Sequence, residues 1–390
     1  MAARTIHPFP ARMAPDIALK WVARRKGSRP LHVLDPMCGS GTVLSMASEH
    51  GHEARGYDLD PLAVLMSHVA VAPVDREELD VATTDVVRTA QRSRTEALPW
   101  RDEETRSFAR YWFGDAQLIQ LTRVARAVND LDDVTMRRVL QIALSRIIVT
   151  KRPKASLAAD TSHSRPHRVI ESSSYDVIKG FEQSARQLAG LLDKRSLAGN
   201  AVVAHGDARS LDLADGEIDL VVTSPPYLTA IDYLRGHRLA LIWLGYTVGE
   251  LRTIRSTSVG AERGLHEPDC AIARMVRMIE TSCAAPERLP SSMIARYADD
   301  LVRLSAELFR VCRVGARVVT VVGNSSLRGN FIRSDLLVRS ALRSVGFEVT
   351  SQRTRDLPES KRYMPVNTKD SRSTMAYRMR TEIVLNAVKR

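Results

Sequence analysis

Cysteine is scarce: the 390 residues hold only Cys38, Cys270, Cys283 and Cys312, with no C-x-x-C pair and no Cys/His cluster of zinc-finger spacing. They read as reduced thiols, which excludes a disulfide-stapled scaffold and a structural metal site. The ten histidines form no H-E-x-x-H arrangement, so no metal is expected. No apolar run reaches the length of a bilayer span, and the longest are interrupted by charges. Residues 1–10 lack the apolar segment of a signal peptide. The expected setting is therefore cytoplasmic, without membrane association. Two phosphate-binding signatures are missing as well: the full G-x-G-x-x-G of dinucleotide sites and the Gly-Lys-Ser/Thr of nucleotide-binding loops.

What is present is an ordinary soluble composition, 44% hydrophobic and 26% charged. The chain is long enough for one large or two modest domains with a real core. Lys and Arg exceed Asp and Glu, 57 to 45, giving a net charge of +12. A surplus of that size attracts polyanions and favours nucleic acid at ordinary salt, although it does not by itself establish such a partner.

The best-marked unit lies within residues 30–71. A short apolar run, residues 31–34, leads into Asp35-Pro36-Met37-Cys38-Gly39-Ser40-Gly41-Thr42, then a helical stretch, then a second strand ending at Gly56-Tyr57-Asp58. Strand, glycine turn, helix, strand and acidic residue open a doubly wound α/β domain. Pro61 then starts another helix. Residues 73–200 change character. Leu118, Leu121, Val124 and Val128 mark one helical stripe, and Met136, Val139, Leu140, Ala143, Leu144 and Ile147 another. Within this block, residues 150–174 are polar, basic and Ser-rich, a surface loop by composition. The α/β pattern resumes at Ala201, and residues 218–222 form a strand that ends at Thr223-Ser224-Pro225-Pro226-Tyr227. Residues 247–290 read as irregular and polar. A helix follows at 297–312 and a buried strand at 317–322, while 347–351 and 382–388 suit a closing strand pair. The expected division is thus 1–72, cofactor half; 73–200, helical insertion; 201–246, catalytic half; 247–296, variable segment suited to target recognition; and 297–390, the end of the sheet.

Gly39 and Gly41 let the backbone pass close to a ligand, and the turn feeds a helix N-terminus that favours a carboxylate or phosphate. Asp35, at the strand's end, is placed to accept from an ammonium. Asp58, at the end of the next strand, is placed to bind the hydroxyls of a ribose. An ammonium, a carboxylate and a ribose on one ligand describe S-adenosylmethionine (AdoMet) better than NAD.

In Thr223-Ser224-Pro225-Pro226-Tyr227 the consecutive prolines fix φ and remove two N–H donors. They leave carbonyl oxygens beside a hydroxyl and an aromatic ring, a surface suited to an amino group on a flat ring. An exocyclic base amine is a poor nucleophile because its lone pair is delocalised. Acceptors at the Ser224 hydroxyl and the Pro225 carbonyl would draw it toward tetrahedral geometry and stabilise the developing positive charge.

Together, His7-Pro8-Phe9-Pro10-Ala11-Arg12-Met13, residues 35–42, Gly56-Tyr57-Asp58-Leu59-Asp60-Pro61, Gly206-Asp207-Ala208 and Thr223-Ser224-Pro225-Pro226-Tyr227 resemble the amino-DNA methyltransferases. The resemblance is closest to the branch associated with N4-cytosine methylation. It spans roughly the first 245 residues, in scattered blocks. It implies an α/β, Rossmann-like, seven-stranded class I methyltransferase sheet with a helical insertion. AdoMet is the implied cofactor, double-stranded DNA the substrate, a cognate restriction endonuclease a candidate partner, and the nucleoid the place of work. By position, it assigns Phe9 and Arg12 to the N-terminal cofactor segment. Asp35, Pro36, Gly39, Gly41 and Thr42 fall to the methionine-end turn, Asp58 to the ribose, and Asp207 to the adenine amine. Ser224, Pro225, Pro226 and Tyr227 become the catalytic face, with Tyr227 stacking on a flipped base. C5-cytosine chemistry uses a Pro-Cys dipeptide that the chain lacks, so Cys38 reads as a small turn residue. The alternatives are an N6-adenine DNA enzyme, an RNA guanine-N2 enzyme, and a catalytically silent DNA-binding module. Tyr111-Trp112-Phe113 reads either as a core anchor or as a wedge into DNA. The basic residues between 151 and 168, and those between 353 and 380, suit either solvent or phosphate. His7 and His32 read as packing or solvent-facing residues.

Overall fold

The structure is a computed structural model that describes residues 6–8, 13–23, 28–163, 165–228, 233–260, 265, 267–357 and 381–390. A seven-stranded sheet organises the chain. In chain order its strands are β1 (His32–Asp35), β2 (Glu53–Asp58), β3 (Ala201–His205), β4 (Ile218–Thr223), β5 (Cys312–Gly323), β6 (Phe347–Asp356) and β7 (Thr381–Lys389). Across the sheet they run β6-β7-β5-β4-β1-β2-β3. The pairings from β3 to β5 are parallel, and β7 inserts antiparallel to both β5 and β6. That order, with its antiparallel penultimate strand, is the class I methyltransferase sheet.

Alternating side chains explain why the central strands bury both faces. Val33 packs with Leu220, Val222, Val43 and Leu44 on one face. Leu34 and Val221 point the other way, into a core with Leu301, Leu304 and Leu308. The first face is covered by α1 (Pro15–Val22) and α2 (Thr42–Glu49), the second by α11 (Cys270–Thr281), α12 (Ser291–Val311) and α13 (Ser334–Ser344). Close helix–strand packing fixes Gly56, since a Cβ there would meet Leu44 Cδ1 at 2.3 Å.

Between β2 and β3 the chain builds α3 (Pro61–Val71), α4 (Arg76–Arg92), α5 (Glu103–Trp112), α6 (Asp115–Asn129), α7 (Val134–Ile148) and α8 (Val177–Leu192). Four of their N-termini are closed by aspartates, Asp75, Asp102, Asp133 and Asp176, each accepting backbone N–H groups of the first turn. Their shared core also takes in α9 (Tyr233–Leu241), Trp243 and α10 (Val248–Thr257). Trp112 and Phe113 are buried in it, whereas Tyr111 is exposed; the aromatic triplet is mainly an anchor.

Two segments differ from the sequence reading. Residues 247–290 are not irregular, because they contain α10 and α11. Thr247 and Glu250 form a reciprocal capping box on α10, and Asp269 caps α11, whose Ile272, Met275, Val276 and Ile279 face the core. The basic stretch after Thr150 is likewise more than a solvated loop. Ala155, Ser156, Leu157, Ala158 and Thr161 are buried, and the Thr161 hydroxyl accepts from Thr150 N–H and bonds the Ile148 and Thr150 carbonyls.

Candidate active site

The strand order reverses between β1 and β4, which opens a crevice at their carboxyl ends. The residues singled out in the sequence converge there. Thr223 Oγ1, at the end of β4, donates to Asp35 Oδ1, at the end of β1, over 2.8 Å. Met37 N–H donates to the same oxygen. Burial pushes the Asp35 carboxyl up to about 7. Pro36 leads the turn, Gly39 and Gly41 both have positive φ, and Thr42 is the first residue of α2. Gly41 is required twice over: its φ is +74°, and a Cβ would lie 2.9 Å from Ser67 Cα and Ala70 Cβ of α3. Cys38 is buried in this turn, and burial raises its thiol pKa well above the ordinary value, so it is an inert packing residue.

Asp58 closes β2. Its Oδ2 accepts from Gly39 N–H at 2.9 Å and its Oδ1 from Asp60 N–H at 2.9 Å. Burial, followed by the neighbouring Asp60 charge, moves its pKa up to about 6. Each carboxylate oxygen carries a second lone pair, so this doubly held group can still receive two hydroxyl donors. The arrangement fits the diol of a ribose, and the α2 N-terminus fits a carboxylate beside it. Asp207 follows β3, with its oxygens gripped by Arg209 at 2.7–3.2 Å. Burial works to raise its pKa, but the Arg209 hydrogen bonds and charge hold it below the ordinary carboxylate range. Phe9 and Arg12 lie outside the described residues.

On the loop that follows β4, the proposed catalytic segment, Ser224 sits opposite Val321 in β5 and its hydroxyl donates to the Val321 carbonyl at 2.9 Å. A hydroxyl has one hydrogen and two lone pairs. With the hydrogen committed, the rest of Ser224 Oγ can only accept. Pro225 is buried, while Ser224, Pro226 and Tyr227 are half-buried. The Pro226 carbonyl is not an open acceptor, because the Tyr297 hydroxyl donates to it at 2.8 Å. Tyr227 packs against the core beneath α12 as well as edging the crevice.

Several supporting residues escaped the sequence reading. Tyr297 and Asp300 lie on α12 and are fully buried. Their apolar neighbours mark that helix as core-facing, but no pattern announces where a hydroxyl or carboxylate on it will point. Asp300 pairs with Arg209 and with Arg296, and accepts from Gly260 N–H. Asp60 caps α3 through Leu62 N–H and also accepts from His237 Nδ1 on α9. His7 is buried with its ring edge toward His237.

The sheet order and the position of this crevice are those of the class I methyltransferase fold. The chain is similar to the Type II methyltransferase M.BsoBI of Geobacillus stearothermophilus, 24% identical over 391 residues, covering 81% of this chain and 73% of that one. It is also similar to M.MvaI of Kocuria varians, 24% identical over 263 residues, with 63% and 58% covered, and to M.AvaI of Nostoc sp., 23% identical over 362 residues, with 81% and 73% covered. Among solved structures, a SAM-dependent methyltransferase from Methanosarcina mazei aligns over 93% of each chain with a TM-score of 0.33 and 11% identity. No family model matches the chain.

Proposed function

We propose that the chain is an AdoMet-dependent DNA methyltransferase of the Type II kind, acting on the exocyclic amine of a flipped base, N4 of cytosine in the first instance. The observation that carries this reading is the acceptor-only Ser224 hydroxyl beside the proline pair. The similarity to Type II methyltransferases supports DNA as the substrate and a restriction endonuclease as the companion activity.

When bound, AdoMet supplies a methyl group already activated by its sulfonium. Asp58 would hold its ribose, Asp35 its ammonium, the turn 36–42 its carboxylate end, and Asp207 its adenine amine. The target base leaves the duplex at a cost of roughly a few kcal/mol and stacks on Tyr227. Ser224 Oγ and the Pro225 carbonyl accept the two amine hydrogens, which localises the nitrogen lone pair and stabilises the positive charge that grows on it. Positioning supplies much of the remaining rate enhancement. An N6-adenine substrate presents the same amine to the same acceptors and is the second reading.

Single-molecule sequencing of DNA from a methylation-free host expressing the chain tests both. A motif carrying N4-methylcytosine, absent with Ser224→Ala, is the expected result; N6-methyladenine would correct the base. With purified protein, Ser224→Ala should lose roughly 100-fold or more in turnover with AdoMet affinity retained. Asp58→Ala should instead weaken AdoMet about tenfold or more. Equal loss of AdoMet binding in both variants would contradict the assigned roles.

A further inference from the structure

Between Arg146 and Arg168 the chain carries six Lys or Arg residues against the single carboxylate of Asp160. Lys151, Arg152, Lys154, Arg165 and Arg168 are exposed, yet the backbone beneath them is locked. Thr161 ties the segment to the end of α7, Leu157 N–H donates to the Trp112 carbonyl, and Val169 N–H donates to the Leu157 carbonyl. Asp160 holds a left-handed φ of 53° while its carbonyl accepts from His163 and Arg165 N–H. A merely solvated loop needs no such framework. Among the described residues, Lys151, Arg152, Lys154 and Arg168 make no ion pair, and the Arg168 guanidinium is steadied by the Ile170 and Glu171 carbonyls, so all four charges lack a countercharge at an exposed face.

A second observation lies below. Arg146, half-buried, donates to three neutral acceptors, the Ile6 carbonyl, Ser184 Oγ and Gln187 Oε1, and has no carboxylate partner among the described residues. It lines a polar pocket with Lys154, Tyr175, Gln183, Ser184 and Gln187. A half-buried guanidinium without a countercharge, lining one pocket with an exposed lysine, is a site in want of an anion.

The location ties both to the crevice. The turn Thr161–His163 packs on α9, the helix whose His237 bonds Asp60 just past β2. The Ile6 carbonyl that receives Arg146 adjoins His7, which packs on the same His237.

Resting on the proposed DNA reading, we propose that this face is the phosphate clamp for the DNA strand that carries the target base. Arg146 and Lys154 take one phosphodiester in the pocket, and Lys151, Arg152 and Arg168 follow the backbone away from it. Tyr111, exposed and beneath the Arg168 guanidinium at 5.6 Å, extends the surface with a ring on which sugar or base can rest.

The experiment compares the full chain with the triple variant Lys151→Ala/Arg152→Ala/Arg168→Ala, with Lys154→Gln, and with a control that removes as many charges from another exposed face, Arg88→Ala/Arg92→Ala/Arg94→Ala. AdoMet affinity, steady-state methylation of plasmid DNA from a methylation-free host, and the salt dependence of duplex binding are measured. The clamp predicts that the triple variant raises KM for DNA by about tenfold or more and flattens the slope of log affinity against log salt by about one for each cation deleted. AdoMet affinity and turnover at saturating DNA should hold, and Lys154→Gln should act in the same direction, flattening the slope by about one. A parent chain that methylates DNA, with triple and control variants indistinguishable in KM and salt slope, overturns the clamp alone. A parent that binds AdoMet but neither binds nor methylates DNA overturns the functional reading beneath it.

Discussion

Asp35 and Asp58 are the two carboxylates of the crevice whose protonation burial moves upward. Burial raises Asp35 to about 7 and Asp58 to about 6, so each holds its proton more tightly in the folded chain than in the unfolded one. Ionising them therefore costs stability as pH climbs from about 4 through about 7, and the penalty stays constant above that. A ligand that brings an ammonium to Asp35 and hydroxyls to Asp58 stabilises the ionised forms. The thermal shift produced by AdoMet should then be larger at about pH 8 than at about pH 5.5, with protons released on binding near neutrality. Asp35→Asn should flatten that dependence and, without ligand, melt higher than the parent at the alkaline end. An AdoMet shift that is the same at both pH values would remove Asp35 from the binding site. Both carboxylates were legible in the sequence because they end short strands on either side of a glycine turn, a purely local pattern. Their shifted protonation was not, since it arises from burial in the assembled fold, which outweighs the opposing hydrogen bond that Thr223, far along the chain, gives Asp35.

At the level of elements, α12 governs the catalytic loop from below. The Tyr297 hydroxyl fastens the Pro226 carbonyl, and Asp300, less than one turn further on, anchors the Arg209 that grips Asp207. One helix thus fixes both the catalytic loop and the end of β3. Tyr297→Phe should cost about 1 kcal/mol of stability, the worth of one buried hydrogen bond. It should also lower turnover about three- to tenfold while AdoMet affinity holds, because the loop loses its tether and not its reactive groups. Loss of AdoMet binding with unchanged turnover would show that the tether serves something else. Periodicity identified α12 as amphipathic, yet it could not assign these two polar contacts, which depend on where the loop passes in three dimensions. Residues 247–290 failed for a related reason: α10 and α11 are short and separated by polar residues, and only their caps mark the ends.

On the scale of the molecule, the helical block after β2 is not separable from α3 and α9, the helices that follow β2 and β4. Leu62, Met66 and Val69 of α3, Leu239 and Leu241 of α9, and Trp243 share one core with α4 to α8. Each large apolar side chain stripped of cover forfeits roughly 1.5–3 kcal/mol, and the total over these residues reaches the whole stability of an ordinary domain. A chain with residues 73–200 replaced by a short linker should therefore show no cooperative thermal transition and no near-ultraviolet circular dichroism. A cooperative melt from that deletion would mean the sheet stands without the block. The sequence marked this stretch by its 3.6-residue stripes and the α/β class by its βα turns and closing strands, while the seven-stranded sheet was legible only through the family resemblance. The shared core was hidden, because an apolar stripe shows that a helix is covered without naming its cover.

The Ser224–Val321 hydrogen bond also bears on which bases the crevice can admit. The amines of cytosine and adenine would offer hydrogens in the position proposed to meet Ser224, whereas thymine, uracil and guanine would offer a keto oxygen there. A hydroxyl free to rotate would greet either kind. On the proposed reading, one whose hydrogen is held by the neighbouring strand would set oxygen against oxygen for every keto base, so a deaminated cytosine would be turned away at the door. The polarity of the filter is thus written into the sheet's own backbone.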